Sequence, residues 1–177
     1  VDVDAHLDRG HAIEDIWLDP PVQIHQVVAG AIAEFEAVII GPGSFFTSLM
    51  PIFAVKGVPE ALAQVRGPLI VIANLLTEGD GMKGFTAGDA VRMMGQAAGR
   101  PVDAVVFNEA RPTAEVLGRY AAEHKHPLEL GTLPSHCTLV SGRFWRKDIA
   151  RHDRPRLAHA LWAVLATNLE RRARPRL

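Results

Sequence analysis

The residues whose types and spacing could do chemistry begin in the run Ala37-Val38-Ile39-Ile40-Gly41-Pro42-Gly43-Ser44-Phe45-Phe46-Thr47-Ser48. Its four small or β-branched apolar residues predict a short strand buried on both faces. Gly41-Pro42-Gly43 breaks that strand in a tight turn. Hydroxyls follow at Ser44, Thr47 and Ser48. A helix starting near Ser44 would leave its first N–H groups without partners inside the helix. With the positive end of the helix dipole and the Ser44 and Thr47 hydroxyls, such a turn suits a phosphate. The plainer alternative is an ordinary strand-to-helix turn with Ser44 as N-cap. No Gly-Lys-Ser/Thr follows, so this is not a standard P-loop. No third glycine stands at dinucleotide spacing, so a nicotinamide site is not supported.

Other polar residues stand where apolar runs end. Asn74 follows Leu69-Ile70-Val71-Ile72-Ala73, and Thr77 comes three residues later. Both can hydrogen-bond a sugar or a base edge, and Asn74 equally fits a turn. Asn108 ends the run from Val102 to Phe107. Tyr120 lies on an amphipathic stretch, where a tyrosine commonly keeps its ring in the core and its hydroxyl at the surface. Arg151-His152-Asp153 precedes the last periodic segment. An arginine there can give a diphosphate two parallel bonds; alternatively Asp153 caps the helix and Arg151 makes a surface ion pair. His152 has the chemistry of a general acid or base, but no second catalytic group, carboxylate dyad or metal-ligand cluster is assignable. The alternating Asp2, Asp4, His6, Asp8 and His11 read as a solvated end rather than a metal site.

The elements that must position these residues alternate. Strands are predicted over 12–18, 37–40, 69–73, 102–107 and 138–145, with a further short one over 127–130. Helices are predicted over 21–36, 45–55, 59–65, 86–98, 111–123 and 154–171. Apolar strands alternating with amphipathic helices define an α/β fold: three Rossmann-like layers, a mainly parallel sheet covered by helices on both faces. Ligands of such sheets bind outside the carboxyl ends of the strands. Here those ends are 41–44, 74–84 and 108–111, three polar segments on one edge.

The chain of 177 residues is one domain's worth, with 48% apolar and 22% charged residues. A net charge of -1 gives no drive toward nucleic acid. No apolar run reaches the ~20 residues of a membrane span, so no membrane partner is expected. The single cysteine, Cys137, excludes an intrachain disulfide and fits a reducing cytoplasm. The chain opens on Val1, as a piece of a longer product would.

The run from Ile40 to Pro51, with Val55-Lys56-Gly57-Val58-Pro59-Glu60-Ala61 behind it, resembles a signature of the CofD/YvcK family (UPF0052), I-G-P-G-S-L-Y-T-S-x-x-P-N-L-L-V-x-G-I-x-E-A. Asn74, Thr77, Gly84, Phe85 and Thr86 match that family's N-x-M-T-Q-x-G-E-T-x-G-Y-T run. Glu78 replaces its glutamine, Gly81-Met82 its Glu-Thr, and Ala90 the histidine that often follows the retained Asp89. Arg119-Tyr120-Ala121 resembles its R-Y-A, and Arg151-His152-Asp153 its R-H-D. The resemblance covers nearly all of Arg9 to Leu165. The Gly-Gly-Gly-Thr-Gly loop and the Asp-Asp-Gly-Gly-Ser-like segment that begin full-length members are missing, which implies the C-terminal portion of a longer chain.

Members of that family are either phospholactate transferases that build a deazaflavin coenzyme or UDP-sugar-binding regulators. The resemblance therefore implies a cytoplasmic, regulatory protein binding a nucleotide sugar or nucleotide diphosphate. The strand ends and the resemblance together mark Gly41, Gly43, Ser44, Thr47, Asn74, Thr77, Asn108, Tyr120 and Arg151 as phosphate or nucleotide contacts, Asn108 by its place at a strand end alone. One alternative is a transferase moving a phosphorylated lactate-type group to a deazaflavin acceptor, with Mg²⁺. Another is a non-catalytic interaction scaffold, which would place Phe45-Phe46, Leu49-Met50 and Met93-Met94 at a subunit interface, although their pattern favours the core. A homo-oligomer, a dimer, is the expected assembly.

Overall fold

The structure, a computed structural model, describes residues 13, 16–79 and 82–173, with side chains through 167. The Asp and His residues of the first eleven positions lie outside the described residues. In order, the elements are α1 (Gln26–Ala33), β1 (Val38–Ile40), one π-helical turn (Phe45–Leu49), α2 (Met50–Phe53), α3 (Val58–Gln64), β2 (Leu69–Ile72), α4 (Ala87–Ala97), β3 (Ala104–Asn108), α5 (Ala114–Ala121), β4 (Thr138–Gly142) and α6 (Arg154–Ala173). The four strands form one parallel sheet in the order β1-β2-β3-β4. Ile39, Ile70, Ala104 and Thr138 share one row of its register.

This is the expected α/β, Rossmann-like layering. Parallel neighbours in sequence order need right-handed crossovers, which carry their connections to one face. That face holds the main core, where Leu69, Val71 and Val105 meet Phe45, Phe46, Val91 and Met94. The other face is covered by α6, whose Leu157, Leu161, Val164 and Leu165 pack on Ile70, Ile72, Ala104 and Val106. β2 lies between both layers and is buried at every position.

Several expectations change. β1 is not buried on both faces: it is an edge strand paired only with β2 among the described residues, and Ile39 is 43% exposed. The helix expected over 21–36 begins only at Gln26, because Gln23 bridges Lys56 and His25 caps the helix, its Nδ1 accepting the Val27 N–H at 3.3 Å. Residues 13 and 16–18 are irregular rather than strand. The strand expected over 127–130 is reduced to two isolated bridges, Leu76 with Pro127 and Thr86 with Glu129. By contrast, Phe45, Phe46 and Met94 are buried in the main core, the place preferred for them over a subunit interface.

Backbone contacts fix the sheet's amino edge. Arg100 donates to the Val65 and Gly67 carbonyls at 2.7 and 2.9 Å and to Asp103 at 3.0 Å, while Asp103 accepts the Leu69 N–H at 2.7 Å. Gly67 is required there: a Cβ on it would lie 1.7 Å from the Glu36 carbonyl oxygen. α4 begins with a reciprocal capping box between Thr86 and Asp89. Burial pushes the Asp89 carboxyl up, but bonds from the Thr86 hydroxyl and N–H and the Arg92 guanidinium outweigh it and hold it below its ordinary value.

Candidate functional site

A cleft of about 1140 Å³ opens at the carboxyl edge of the sheet. Four segments wall it: the turn after β1 (42–47), the loop after β2 (74–79), the end of α5 with Glu123 and Lys125, and the segment 146–155 between β4 and α6. Of the nine residues singled out in the sequence, Gly43, Ser44, Thr47, Asn74, Thr77, Tyr120 and Arg151 line this one cleft. Gly41 and Asn108 do not. The Asn108 carboxamide instead bonds the Ala110 backbone and accepts the Phe144 N–H at 2.9 Å, tying β3 to the chain after β4.

The turn after β1 is held by the loop after β2. Asn74 and Gly43 exchange two bonds: the Gly43 N–H donates to Asn74 Oδ1 at 3.2 Å, and Asn74 Nδ2 donates to the Gly43 carbonyl at 2.9 Å. Glu78 completes the joint. Its Oε2 accepts the Ser44 hydroxyl at 2.8 Å, its Oε1 accepts the Phe45 N–H at 2.8 Å, and Oε1 also accepts Asn74 Nδ2 at 3.0 Å. Ser44 begins the π-helical turn but its side chain makes no capping bond. Its oxygen accepts the Thr47 hydroxyl instead. Two of the donors that the sequence offered to a phosphate, the Ser44 hydroxyl and the Phe45 N–H, are therefore directed at a carboxylate of the chain itself.

Thr77 is buried, and its hydroxyl oxygen accepts the His126 N–H at 3.0 Å, fastening the stretch after α5. Tyr120 plays the same part for the segment after β4: its hydroxyl accepts the Ala150 N–H at 2.9 Å. That segment folds back on itself. Trp145 bridges His152, the Arg146 N–H reaches the Arg151 carbonyl at 2.8 Å, and the Asp153 N–H reaches the Phe144 carbonyl at 2.6 Å. Asp153 caps α6 by accepting the Arg156 N–H at 3.2 Å. His152 is half-buried; burial pushes its pKa below the ordinary value, against the opposing effect of its backbone hydrogen bond to Ala73. The imidazole therefore stays neutral near pH 7.

The charges of the cleft are unevenly matched. Lys125 pairs with Glu123, and Glu78 and Asp153 are engaged as described. Arg146, Arg151 and Arg154 make no ion pair with any described residue. Arg146, Arg154 and Glu78 were missed as site residues by sequence reasoning. The first two had a signal: 143–156 holds six Lys or Arg residues against two aspartates. Glu78 had one too, as a charged residue where the resembling family carries a neutral amide. Among the described residues no cluster of His, Cys, Asp or Glu could hold a metal ion, and no helix is long and apolar enough to cross a membrane.

Fold and cleft together define an α/β protein with an arginine-bearing cleft at the carboxyl edge of a parallel sheet. The family profile described as "2-phospho-L-lactate transferase CofD" matches residues 2–144. The chain belongs to that family. The profile stops short of Arg146, Arg151 and Arg154. A Nostoc protein named "Putative gluconeogenesis factor" is 38% identical over 102 residues, 56% of this chain and 22% of the relative. An Aquifex aeolicus protein of the same name is 28% identical over 169 residues, 91% of this chain and 51% of its own. The crystal structure of Bacillus halodurans BH3568 superposes with a TM-score of 0.76 at 25% identity, over 90% of this chain and 53% of that one; that protein is described as a member of the UPF0052 family. The chain thus spans about half or less of the length of these relatives.

Proposed function

We propose that this chain binds a nucleotide diphosphate or nucleotide sugar, of the UDP-sugar kind, in the cleft, as a regulatory rather than a catalytic protein. The observation that carries this reading is the set of three arginines, Arg146, Arg151 and Arg154, that face one cleft without carboxylate partners among the described residues. A guanidinium fork matches the oxygens of a diphosphate. The Tyr120 hydroxyl proton and the lone pairs of Thr47 add the neutral donor and acceptors that read sugar hydroxyls or a base edge, while Asn74 holds the turn beneath them. Gly41 and Asn108 support the rim without touching the ligand. Relatives named for gluconeogenesis favour regulation, and the lone Cys137 fits a cytoplasmic setting.

Titration calorimetry with UDP-N-acetylglucosamine tests it. Binding that is lost when Arg146 and Arg151 are both changed to Gln supports the reading; no heat at millimolar ligand overturns it. The family's transferase description favours a second reading, transfer of a phosphorylated lactate-type group to a deazaflavin acceptor. Glu78, Glu123 and Asp153 are each engaged by donors of the chain, so the described residues form no ready magnesium cage. A new phosphodiester seen by mass spectrometry after incubation with donor and acceptor would establish that activity.

A further inference from the structure

Glu78 sits among donors that a free anion would otherwise use. Both of its oxygens accept hydrogen bonds, as an ionised carboxylate's do. Ser44 has spent its one donor on Glu78 and accepts from Thr47, which leaves it only an acceptor lone pair for a ligand. The Phe45 N–H is shared between both Glu78 oxygens at 2.8 and 3.1 Å. A phosphate at this turn would displace the carboxylate or stand against it, and two anions in contact repel. The same cleft carries three arginines on the segment before and at the start of α6.

We infer that Glu78 is a built-in anion that sets the polarity of the ligand. Phosphate groups go to Arg146, Arg151 and Arg154, and the part of the ligand facing Gly43, Ser44 and Thr47 is an uncharged, hydroxyl-bearing group such as a sugar. Glu78 acts as a specificity determinant, discriminating against ligands with a further phosphate or carboxylate at that end. This inference rests on the nucleotide-diphosphate reading above and adds the orientation and charge limit that reading lacks.

The test compares uridine, UMP and UDP as probes on the full chain, wild type against Glu78→Gln. Glutamine keeps the size and one acceptor, and it is the residue that the resembling family carries at this place. Removing the charge should tighten UDP by roughly three- to ten-fold, UMP by a smaller factor, and leave uridine unchanged, the gain shrinking with added salt. A role limited to holding the two loops together would instead weaken all three probes alike. Glu78→Asp, which keeps the charge, should show no gain graded by phosphate number. Wild type that binds UDP, with equal or weaker binding in Glu78→Gln, overturns this inference alone. Failure of UDP and UDP-N-acetylglucosamine to bind any of the proteins overturns the nucleotide reading and this inference with it.

Discussion

The Tyr120 hydroxyl accepts the Ala150 N–H at 2.9 Å, joining α5 to a residue 30 positions later. The bond pins the fold-back that presents Arg146 and Arg151 to the cleft. Tyr120→Phe removes the acceptor and leaves the ring in its apolar setting with Leu75, Val116 and Trp145. Losing one such bond costs about 1 kcal/mol. The expected outcome is a small drop in melting temperature with a several-fold weaker UDP-N-acetylglucosamine affinity, read by calorimetry. Unchanged affinity would show that the fold-back is held without this bond.

Arg151→Gln should weaken UDP binding by about 10- to 100-fold, the range of a lost charge-assisted bond. Arg151→Lys should fall between, since the charge stays and the fork goes. Binding measured at several salt concentrations should lose slope in the Gln variant. Equal affinity in all three proteins would remove Arg151 from the site.

His152 makes a pH prediction. Its folded pKa lies below its unfolded value near 6.5. Below about pH 6.5 the unfolded chain therefore binds more protons than the folded one, and stability falls as pH falls through that window. Above it the contribution is complete. Thermal melts from pH 7.5 to 5.5 should show a decline that His152→Gln flattens. An unchanged decline in the variant would assign it to other groups.

How much was legible in the sequence depends on range. β2 and β3 were readable because short apolar runs rich in Val and Ile, bounded by turn residues, have few alternatives to a buried parallel strand. For α4 the sequence offered Thr86 or Asp89 as the cap, and the structure uses the two together. Ile39 could not be read as exposed, because its burial is decided by what covers the edge of the sheet, and the described side chains of α6 pack on β2 and β3 instead. The cleft's membership was partly visible, since strand ends and a late Arg-His-Asp pointed to one edge. The direction of the Ser44 hydroxyl was not, because its partner Glu78 lies 34 residues away and only the paired loops bring them together.

Cys137 should be a poor nucleophile. Burial, with the Asp103 carboxylate adding to it, pushes its thiol up to about 11. Alkylation by iodoacetamide at pH 8 should be slow in the folded chain and speed up in denaturant. Equally fast labelling in both states would contradict the packing around β4.

Gly67→Ala should destabilise the fold by about 2–4 kcal/mol, since the new methyl meets backbone that has no rotamer to move. A melting temperature within a degree of wild type would show that the chain before β1 can shift aside.

α6 has two duties at its two ends. Arg154 and the cap Asp153 border the cleft, and the next turns of the same rod seal Ile70, Ile72 and Val106 from water. A ligand held by Arg154, as proposed, would pull on the lid of the second core, and whatever loosens that lid would slacken the grip. Recognition and structural integrity would then share one lever, so that a change deep beneath this helix would be felt as altered affinity with no contacting side chain touched.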